Sequence, residues 1–301
     1  MKILLATDGS QHSEGAATFL TCLNLSSDDE IMVFHAIYWI PFLYDREFYC
    51  ETLKEIKMAI APKILDSALN ILRPVHAKIS TTLTEGSPEE AIVDMARNSG
   101  MDIIVMGARG VRGIESLFVG SVTRSVSIKS PVPVLVTKLP VRKRPDKIRI
   151  LFATDGSEYA MATEEFLSSM PFPDNTGITI VTVMPSEFLD IPETFVPEII
   201  EKTIEIVEKA ESMRRAESER IAEEAKEYLS TTFSNVNVLC EVGDPSKEIL
   251  RVSDALRTDI IAVGCRGLRG IKGMMGSVSR NVLTHSKCSV LIGKTCKEKI
   301  T

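Results

Sequence analysis

Two glycine-rich segments of this chain have the residue types and spacing of a phosphate-binding loop. In the first, Gly107 is followed after two residues by Gly110, and after nine more by Gly120 and Ser121. Glycine lets the backbone approach a ligand and adopt a positive φ without a Cβ clash. Gly120 and Ser121 are placed to open a helix, whose free N–H groups and positive dipole end attract anions. The Ser121 hydroxyl could cap this helix or donate to a phosphate oxygen, so the segment predicts a phosphate site.

A carboxylate follows the first apolar run in each half of the chain. Asp8 lies in ILLATDGS and Asp155 in ILFATDGS, where each could accept a hydrogen bond from an exocyclic amine or a ribose hydroxyl. In open parallel sheets, ligands bind beyond the carboxyl ends of the strands, at the point where the strand order reverses. With the order 3-2-1-4-5, the loops at Asp8 and Gly107 line one crevice.

The chain contains the same pattern twice. MDIIVMGARGVRG (101–113) matches TDIIAVGCRGLRG (258–270), and EGSPEEAI (85–92) matches VGDPSKEI (242–249), in the same order. Such ordered landmarks indicate a duplicated domain. We expect domains at 1–140 and 148–301, with a linker at 141–147, where prolines and charged residues cluster.

The second copy departs from the first in its glycine segment. Gly264 and Gly267 are followed by only eight residues before Gly276 and Ser277. One deletion ahead of the phosphate helix could rotate or retract its N-terminus. About ten extra residues are expected in 190–230, a charged stretch whose apolar residues recur at helical spacing.

Strands and helices alternate within each copy. The first copy predicts strands at 2–7, 31–37, 75–84, 102–106 and 133–138, with helices near 11–23, 51–72, 88–98 and 121–129. Ser87, Pro88 and Glu90 predict a capping box, whereas Asp244 and Pro245 reproduce only its first two parts. The fold class is α/β: two tandem doubly wound open parallel five-stranded sheets of order 3-2-1-4-5, with helices on both faces.

ATDGS, the G-x-P helix start and the G-x2-G-x9-G-S pattern together resemble the universal stress protein family. The resemblance covers nearly the whole chain and implies an adenine-nucleotide site, with ATP or AMP as the cofactor, Mg²⁺ as an accompanying ion and a role in stress response. The candidate cofactor-binding residues are Asp8, Ala36, Gly107, Arg109, Gly110, Gly120, Ser121 and Val122 in the first copy, and Asp155, Val183, Gly264, Gly267, Gly276 and Ser277 in the second. Ala36 and Val183 are assigned as residues after the second strand of each copy.

The family resemblance also implies dimerisation through the fifth strand. In a sheet of this order the fifth strand is an edge with backbone groups open to pairing. Here the two edges are 133–138 and 289–294, so the tandem chain could form an intramolecular pseudo-dimer. Further association into a homodimer is left open.

Composition excludes several classes of protein. The net charge of −6 argues against nucleic-acid binding through a global basic field. No apolar stretch approaches the roughly 20 residues of a membrane span, and the N-terminus lacks the pattern of a signal peptide, so we expect a cytoplasmic protein. The six scattered cysteines are typical of reduced thiols.

Other residues that could do chemistry have plainer interpretations. The arginines around the glycine segments (Arg109, Arg112, Arg124, Arg266, Arg269 and Arg280) could contact phosphates or be surface charges. His35 is expected to be a satisfied core residue, and Cys265 to be a small residue rather than a redox thiol. The aromatic run from Phe34 to Phe48 is expected to pack over the sheet, with part of it as a candidate cover for adenine.

Three functions remain open: a nucleotide-binding regulator, a slow ATPase or nucleotidyl-transfer enzyme, and an interaction module with an empty site. Neither GxxxxGK[ST] nor GxGxxG is present in the loops concerned, and no general base is evident, which disfavours the second. The intact spacing from Gly107 to Ser121 disfavours the third. We therefore expect a regulator without catalytic residues.

Overall fold

The structure, a computed structural model, describes residues 1–38, 47–110, 119–141, 147–185, 196–268 and 274–295. It divides into two compact units. The first contains Met1–Asp146, Pro171–Pro173 and Cys288–Thr301, and the second contains Lys147–Met170 and Asp174–Lys287. The expected linker lies largely outside the described residues, so the domain boundaries stay a prediction.

Strands and helices alternate as expected in both copies. The first copy forms β1 (Lys2–Ala6), α1 (Gln11–Leu20), β2 (Glu30–Ile37), α2 (Glu47–Leu72), β3 (Lys78–Glu85), α3 (Pro88–Asn98), β4 (Ile103–Gly107), α4 (Ser121–Lys129) and β5 (Val134–Thr137). The second forms β6 (Arg149–Ala153), α5 (Glu158–Ser169), β7 (Gly177–Met184), α6 (Val196–Leu229), β8 (Asn235–Val242), α7 (Pro245–Leu256), β9 (Ile260–Gly264), α8 (Ser277–His285) and β10 (Ser289–Gly293).

The strand order of the first unit confirms the predicted reversal. Its strands lie in the order β3-β2-β1-β4-β5, all parallel, and β1 is flanked by β2 and β4. In the second unit β8, β7, β6 and β9 are parallel in the corresponding order. Every residue of β4 and of β9 is buried, because helices cover both faces of a parallel sheet. The crevice between the ends of β1 and β4 is where this topology places a ligand.

The two predicted edge strands pair with each other. β10, which belongs to the first compact unit, lies antiparallel to β5, with Val290 opposite Val136 and Ile292 opposite Val134. The Ser289 hydroxyl also accepts a hydrogen bond from the backbone N–H of Lys138 at 3.3 Å. The two fifth strands, β5 and β10, therefore pair as expected from the open backbone groups at each edge.

Helix ends depart from the expectation in one place. Ser87 precedes α3 and Pro88 occupies its first turn, but the Ser87 side chain makes no capping hydrogen bond, so the predicted capping box is wrong. Asp244 does cap α7, accepting from the N–H of Lys247 at 2.9 Å. The expected insertion in the second copy is found in α6, which has 34 residues against 26 in α2.

No helix in the described part of the chain is long and apolar enough to cross a membrane. The long helix α6 instead carries ion pairs along its exposed surface, including Arg220 with Glu217 and Lys226 with Glu223.

Glu164 on α5 is a buried carboxylate with an unusual charge environment. Its side chain is 8% exposed, and its Oε1 atom has no hydrogen-bond partner among the described residues. Burial, reinforced by the carboxylates of Glu165 and Glu224, raises the pKa of Glu164 from 4.5 to about 7. A carboxyl with a higher pKa in the folded state binds more protons when folded. The free energy of unfolding therefore falls as the pH rises between these two values.

We predict that Glu164→Gln stabilises the protein at about pH 8 by about 1–3 kcal/mol and changes little at about pH 4.5, where the carboxyl is already neutral. Urea unfolding at both pH values would measure this. Glu165→Gln, at an exposed position of the same helix, is the control and should show a much smaller difference. If the free energy of unfolding depends on pH equally in the Glu164→Gln variant and in the unsubstituted protein, the raised pKa of Glu164 is contradicted.

Candidate functional site

The ATDGS segment forms the turn from β1 into α1. Gly9 has φ +76°, a conformation that side-chain-bearing residues rarely adopt, and Gly156 repeats it at +73° in the second copy. Ser10 caps α1 by accepting from the N–H of Ser13 at 3.3 Å, and its hydroxyl also donates to the carbonyl oxygen of Arg109 at 3.3 Å. One side chain thus caps the helix and binds the turn to the glycine segment.

The glycines after β4 are needed for close packing. Neither Gly107 nor Gly110 has a positive φ, so that part of the sequence-based expectation is wrong. A Cβ on Gly107 would lie 2.5 Å from the carbonyl carbon of His12, and one on Gly110 would collide with Oδ2 of Asp8. Glycine at both positions therefore lets the loop after β4 lie against the first turn of α1.

The start of α4 is fixed by backbone contacts and leaves space in front of it. The N–H of Gly120 donates to the carbonyl of Ala108 at 2.8 Å, and the Thr123 hydroxyl donates to the carbonyl of Gly107 at 2.9 Å. A Cβ on Gly120 would meet its nearest atom at 3.6 Å, an ordinary contact. Ser121 is exposed in the first helical turn, and no side chain caps the helix, so the capping role considered for Ser121 is wrong.

These elements surround a cavity of about 760 Å³, within the range of small-molecule sites. All eight candidate residues of the first copy line it: Asp8, Ala36, Gly107, Arg109, Gly110, Gly120, Ser121 and Val122. Ala36 lies within β2, not after it as expected. The structure therefore brings together residues from four separate segments of the chain.

An apolar wall of the cavity was not anticipated from the sequence. It is formed by Phe34, Ile37, Ile60, Ile64, Ile92 and Met106, from β2, α2, α3 and β4. These residues lie in ordinary helical and strand patterns, which mark them as buried but do not say what they face. The contact of Ile64 with the position of a Gly9 Cβ, at 3.1 Å, shows how α2 closes over the turn after β1.

Charged and polar groups complete the lining. Arg109, Lys57, Glu89 and His35 all reach the cavity. His35 Nδ1 lies 2.8 Å from the carbonyl oxygen of Thr7, so the histidine has a hydrogen-bond partner as expected. The expected core position is wrong, because His35 is only half-buried in β2 and lines the cavity. Phe34 is buried in β2, whereas Trp39 and Tyr44 of the aromatic run, together with Arg112, lie outside the described residues.

The second copy preserves the backbone frame despite its shorter loop. Gly276 donates to the carbonyl of Cys265 at 2.9 Å, and the Ser279 hydroxyl donates to the carbonyl of Gly264 at 2.6 Å, matching the contacts at Gly120 and Thr123. The expected rotation or retraction of the helix start is therefore wrong. The frame holds because both contacts lie outside the shortened segment between Gly267 and Gly276.

The side chains of the second copy are arranged differently. Asp155 accepts from the N–H of Leu268 at 3.1 Å, and a Cβ on Gly267 would collide with its carboxylate. Val183 lies inside β7, and Ser277 is the exposed first residue of α8. Cys265 is completely buried, as expected of a small packing residue. Arg269 lies outside the described residues.

The model of the Universal stress protein family matches this chain twice, at residues 1–138 and 148–294. The chain belongs to the universal stress protein family. A universal stress protein of Thermus aquaticus is 33% identical over 136 residues, which are 45% of this chain and 97% of that protein. One from Methanocaldococcus jannaschii is 31% identical over 143 residues, 47% of this chain and 84% of that protein. Each thus corresponds to about one copy of the repeat.

A solved structure matches the full tandem length. It is a universal stress protein from Archaeoglobus fulgidus, with a TM-score of 0.62 and 24% identity, covering 97% of this chain and 96% of that one. This similarity supports the tandem α/β fold described above for this chain.

We predict that Gly107→Ala destabilises the protein by about 1–3 kcal/mol, because the new Cβ would overlap backbone atoms of His12 that cannot rotate away. Gly120→Ala is the matched control, since its Cβ has room. Chemical denaturation of both variants would measure the difference in the free energy of unfolding. Equal stability of the two variants would contradict this account of the packing.

Proposed function

We propose that the first copy binds an adenine nucleotide, ATP or AMP, in the cavity between β1 and β4, and that this universal stress protein acts as a stress-response regulator without efficient catalysis. The observation that carries the proposal is the convergence of an apolar wall and a helix start in one cavity. Ile60, Ile64 and Ile92 line it together with Gly120 and Ser121. A nucleotide has the matching chemistry, an apolar base joined to an anionic tail.

Gly120 supports the proposal independently of the family. Its φ of −71° is accessible to any residue, and a Cβ would meet only ordinary contacts. The fold therefore does not need glycine here, unlike at Gly107. A missing side chain at the N-terminus of α4 does, however, leave room for a phosphate against the free N–H groups and the positive end of the helix dipole.

Asp8 is placed to bind a hydroxyl or amine of the ligand. Its Oδ1 atom accepts from the N–H of Ser10 at 3.1 Å, which orients the carboxylate at the cavity. Ala36 and Val122 supply small or apolar surface beside the base and the helix start. By this proposal the polar contacts set the orientation of the nucleotide, and the apolar wall provides most of the buried area.

Several finer expectations remain predictions. An accompanying Mg²⁺ would be held mainly by the phosphates, since among the described residues no group of three His, Cys, Asp or Glu side chains could hold a metal. The second copy keeps the same backbone frame around its candidate residues, and its affinity for nucleotides is likewise a prediction. Cytoplasmic location and the homodimer stay predictions from the sequence.

We predict that Gly120→Val lowers the affinity of the first copy for ATP at least about tenfold, because the branched side chain would occupy the phosphate position. Isothermal titration calorimetry of the full-length chain would measure this. Gly276→Val, the equivalent change in the second copy, is the matched control and should leave the first site intact. Unchanged affinity in a chain carrying both substitutions would refute the site.

A further prediction concerns turnover. The sequence from Gly107 to Ser121 contains no lysine of the GxxxxGK[ST] type, so ATP hydrolysis should be far slower than the roughly 10 per second typical of enzymes. A phosphate-release assay would test this, with the Gly120→Val variant as the control for contaminating ATPases. Ordinary enzymatic turnover that disappears in the Gly120→Val variant would overturn the regulatory assignment.

A further inference from the structure

The same arginine position is used differently in the two copies. Arg109 and Arg266 each lie between the two glycines of their motif, and the carbonyl of each accepts a hydrogen bond from the serine that caps the preceding helix, Ser10 or Ser157. Arg266 is 5% exposed, and its Nε donates to the carbonyl of Met274 at 2.7 Å. Its Nη1 donates to the hydroxyl of Tyr159, and its guanidinium stacks 4.9 Å from the centre of the Tyr159 ring.

Among the described residues Arg109 makes none of these contacts, and Phe118, which corresponds to Met274, lies outside them. Arg109 lines the cavity, and its Nε atom is buried without a hydrogen-bond partner among the described residues. Because protein atoms cover Nε, a ligand in the cavity would meet the terminal nitrogens of the Arg109 guanidinium. A guanidinium on a cavity wall is a strong donor to phosphate, often through two parallel N–H groups.

The difference in the partner of Nη1 traces to one residue in the first turn of the preceding helix. Tyr159 of α5 occupies the position of His12 in α1, as the close contacts of Gly264 and Gly107 with these two residues show. The tyrosine hydroxyl accepts from Arg266. His12 makes no such bond: its Nδ1 atom is buried without a partner in the described part of the chain.

Arg109 also has other basic groups near it. Burial and the Arg109 guanidinium lower the pKa of His12, with Asp8 opposing them. Burial and, to a smaller extent, Arg109 also lower the pKa of Lys138 to about 8, while Cys288 opposes this. Arg109 is thus close enough to His12 and Lys138 for their charges to interact, with Asp8 as the acidic group acting on His12, and an anion would add to the stabilisation of these basic groups.

We propose that Arg109 is the phosphate-recognising side chain of the first copy and that Tyr159 withdraws Arg266 from this role in the second. The inference rests on the proposed nucleotide site and adds its selectivity. The first site prefers phosphorylated nucleotides over nucleosides, whereas the second, with its arginine held by Tyr159 and Met274, does not. One protein chain then carries one strong site for ATP.

The test uses calorimetric titrations of the full-length chain with ATP and with adenosine. Variants of the first site (His12→Tyr, Arg109→Met and the double variant) carry Gly276→Val to disable the second site. Tyr159→His carries Gly120→Val to disable the first. Adenosine lacks phosphates, so its binding reports whether the cavity and fold are intact.

We expect His12→Tyr and Arg109→Met each to lower ATP affinity about tenfold, as loss of a charge-assisted hydrogen bond would, with adenosine affinity changed less than about twofold. The double variant should lose no more than either single one, because both changes remove the same contact. Tyr159→His should raise the ATP affinity of the second site by about tenfold without affecting adenosine.

The possible failures are distinguishable. If neither ATP nor adenosine binds the unsubstituted chain, the proposed function itself is wrong. If both bind and none of the variants changes the preference for ATP, the nucleotide site stands and the arginine assignment is overturned. Equal loss of ATP and adenosine in His12→Tyr would also overturn it, since the residue would then act only on packing.

Discussion

The site depends on the approach of two backbones that only glycine permits. The end of β4 lies against the first turn of α1, with no space for a Cβ at Gly107 beside the backbone of His12, and Gly110 faces the Asp8 carboxylate. Ser10 holds the same junction from the other side through the carbonyl of Arg109. Because both loops follow the carboxyl ends of adjacent strands, this contact sets the width of the crevice and the direction of α4. The cavity, its charged groups and the helix start all follow from it.

The second copy keeps this close packing at the glycines more faithfully than it keeps the side chains around the cavity. Gly264 and Gly267 pack on Tyr159 and Asp155 as their counterparts do, and the start of α8 keeps its anchor to Cys265 in spite of the shorter loop. Backbone hydrogen bonds are obligatory when buried, so the frame resists change. Side chains at the cavity are under no such requirement. Tyr159 gives the neighbouring Arg266 a side-chain partner, which His12 does not give Arg109 among the described residues.

The glycines of the motif are thus present for different physical reasons. Gly107 is explained by packing against the backbone of His12 and would be needed even if nothing were bound, while a side chain at Gly110 would displace the Asp8 carboxylate. Gly120 has no such explanation, because its conformation and surroundings would accept a side chain. The same holds for Gly276, whose Cβ would meet its nearest atom at 3.5 Å. Glycine is a favoured N-cap residue, and in our proposal a ligand in front of the helix is a second reason for the missing side chain.

The sequence by itself determined the duplicated α/β architecture, the strand order of the first half and the eight first-copy residues that meet at the cavity. The alternating elements and the duplication follow from short-range patterns of apolar runs, helix starts and glycine spacing, while the site residues also rest on the resemblance to the universal stress protein family. It did not determine the apolar wall from α2 and α3, the failed cap at Ser87, the undisturbed start of α8 or the partners of Arg266. Each depends on which side chains meet across elements distant in the chain. Local pattern marks a residue as buried, but only the tertiary structure decides what it is buried against.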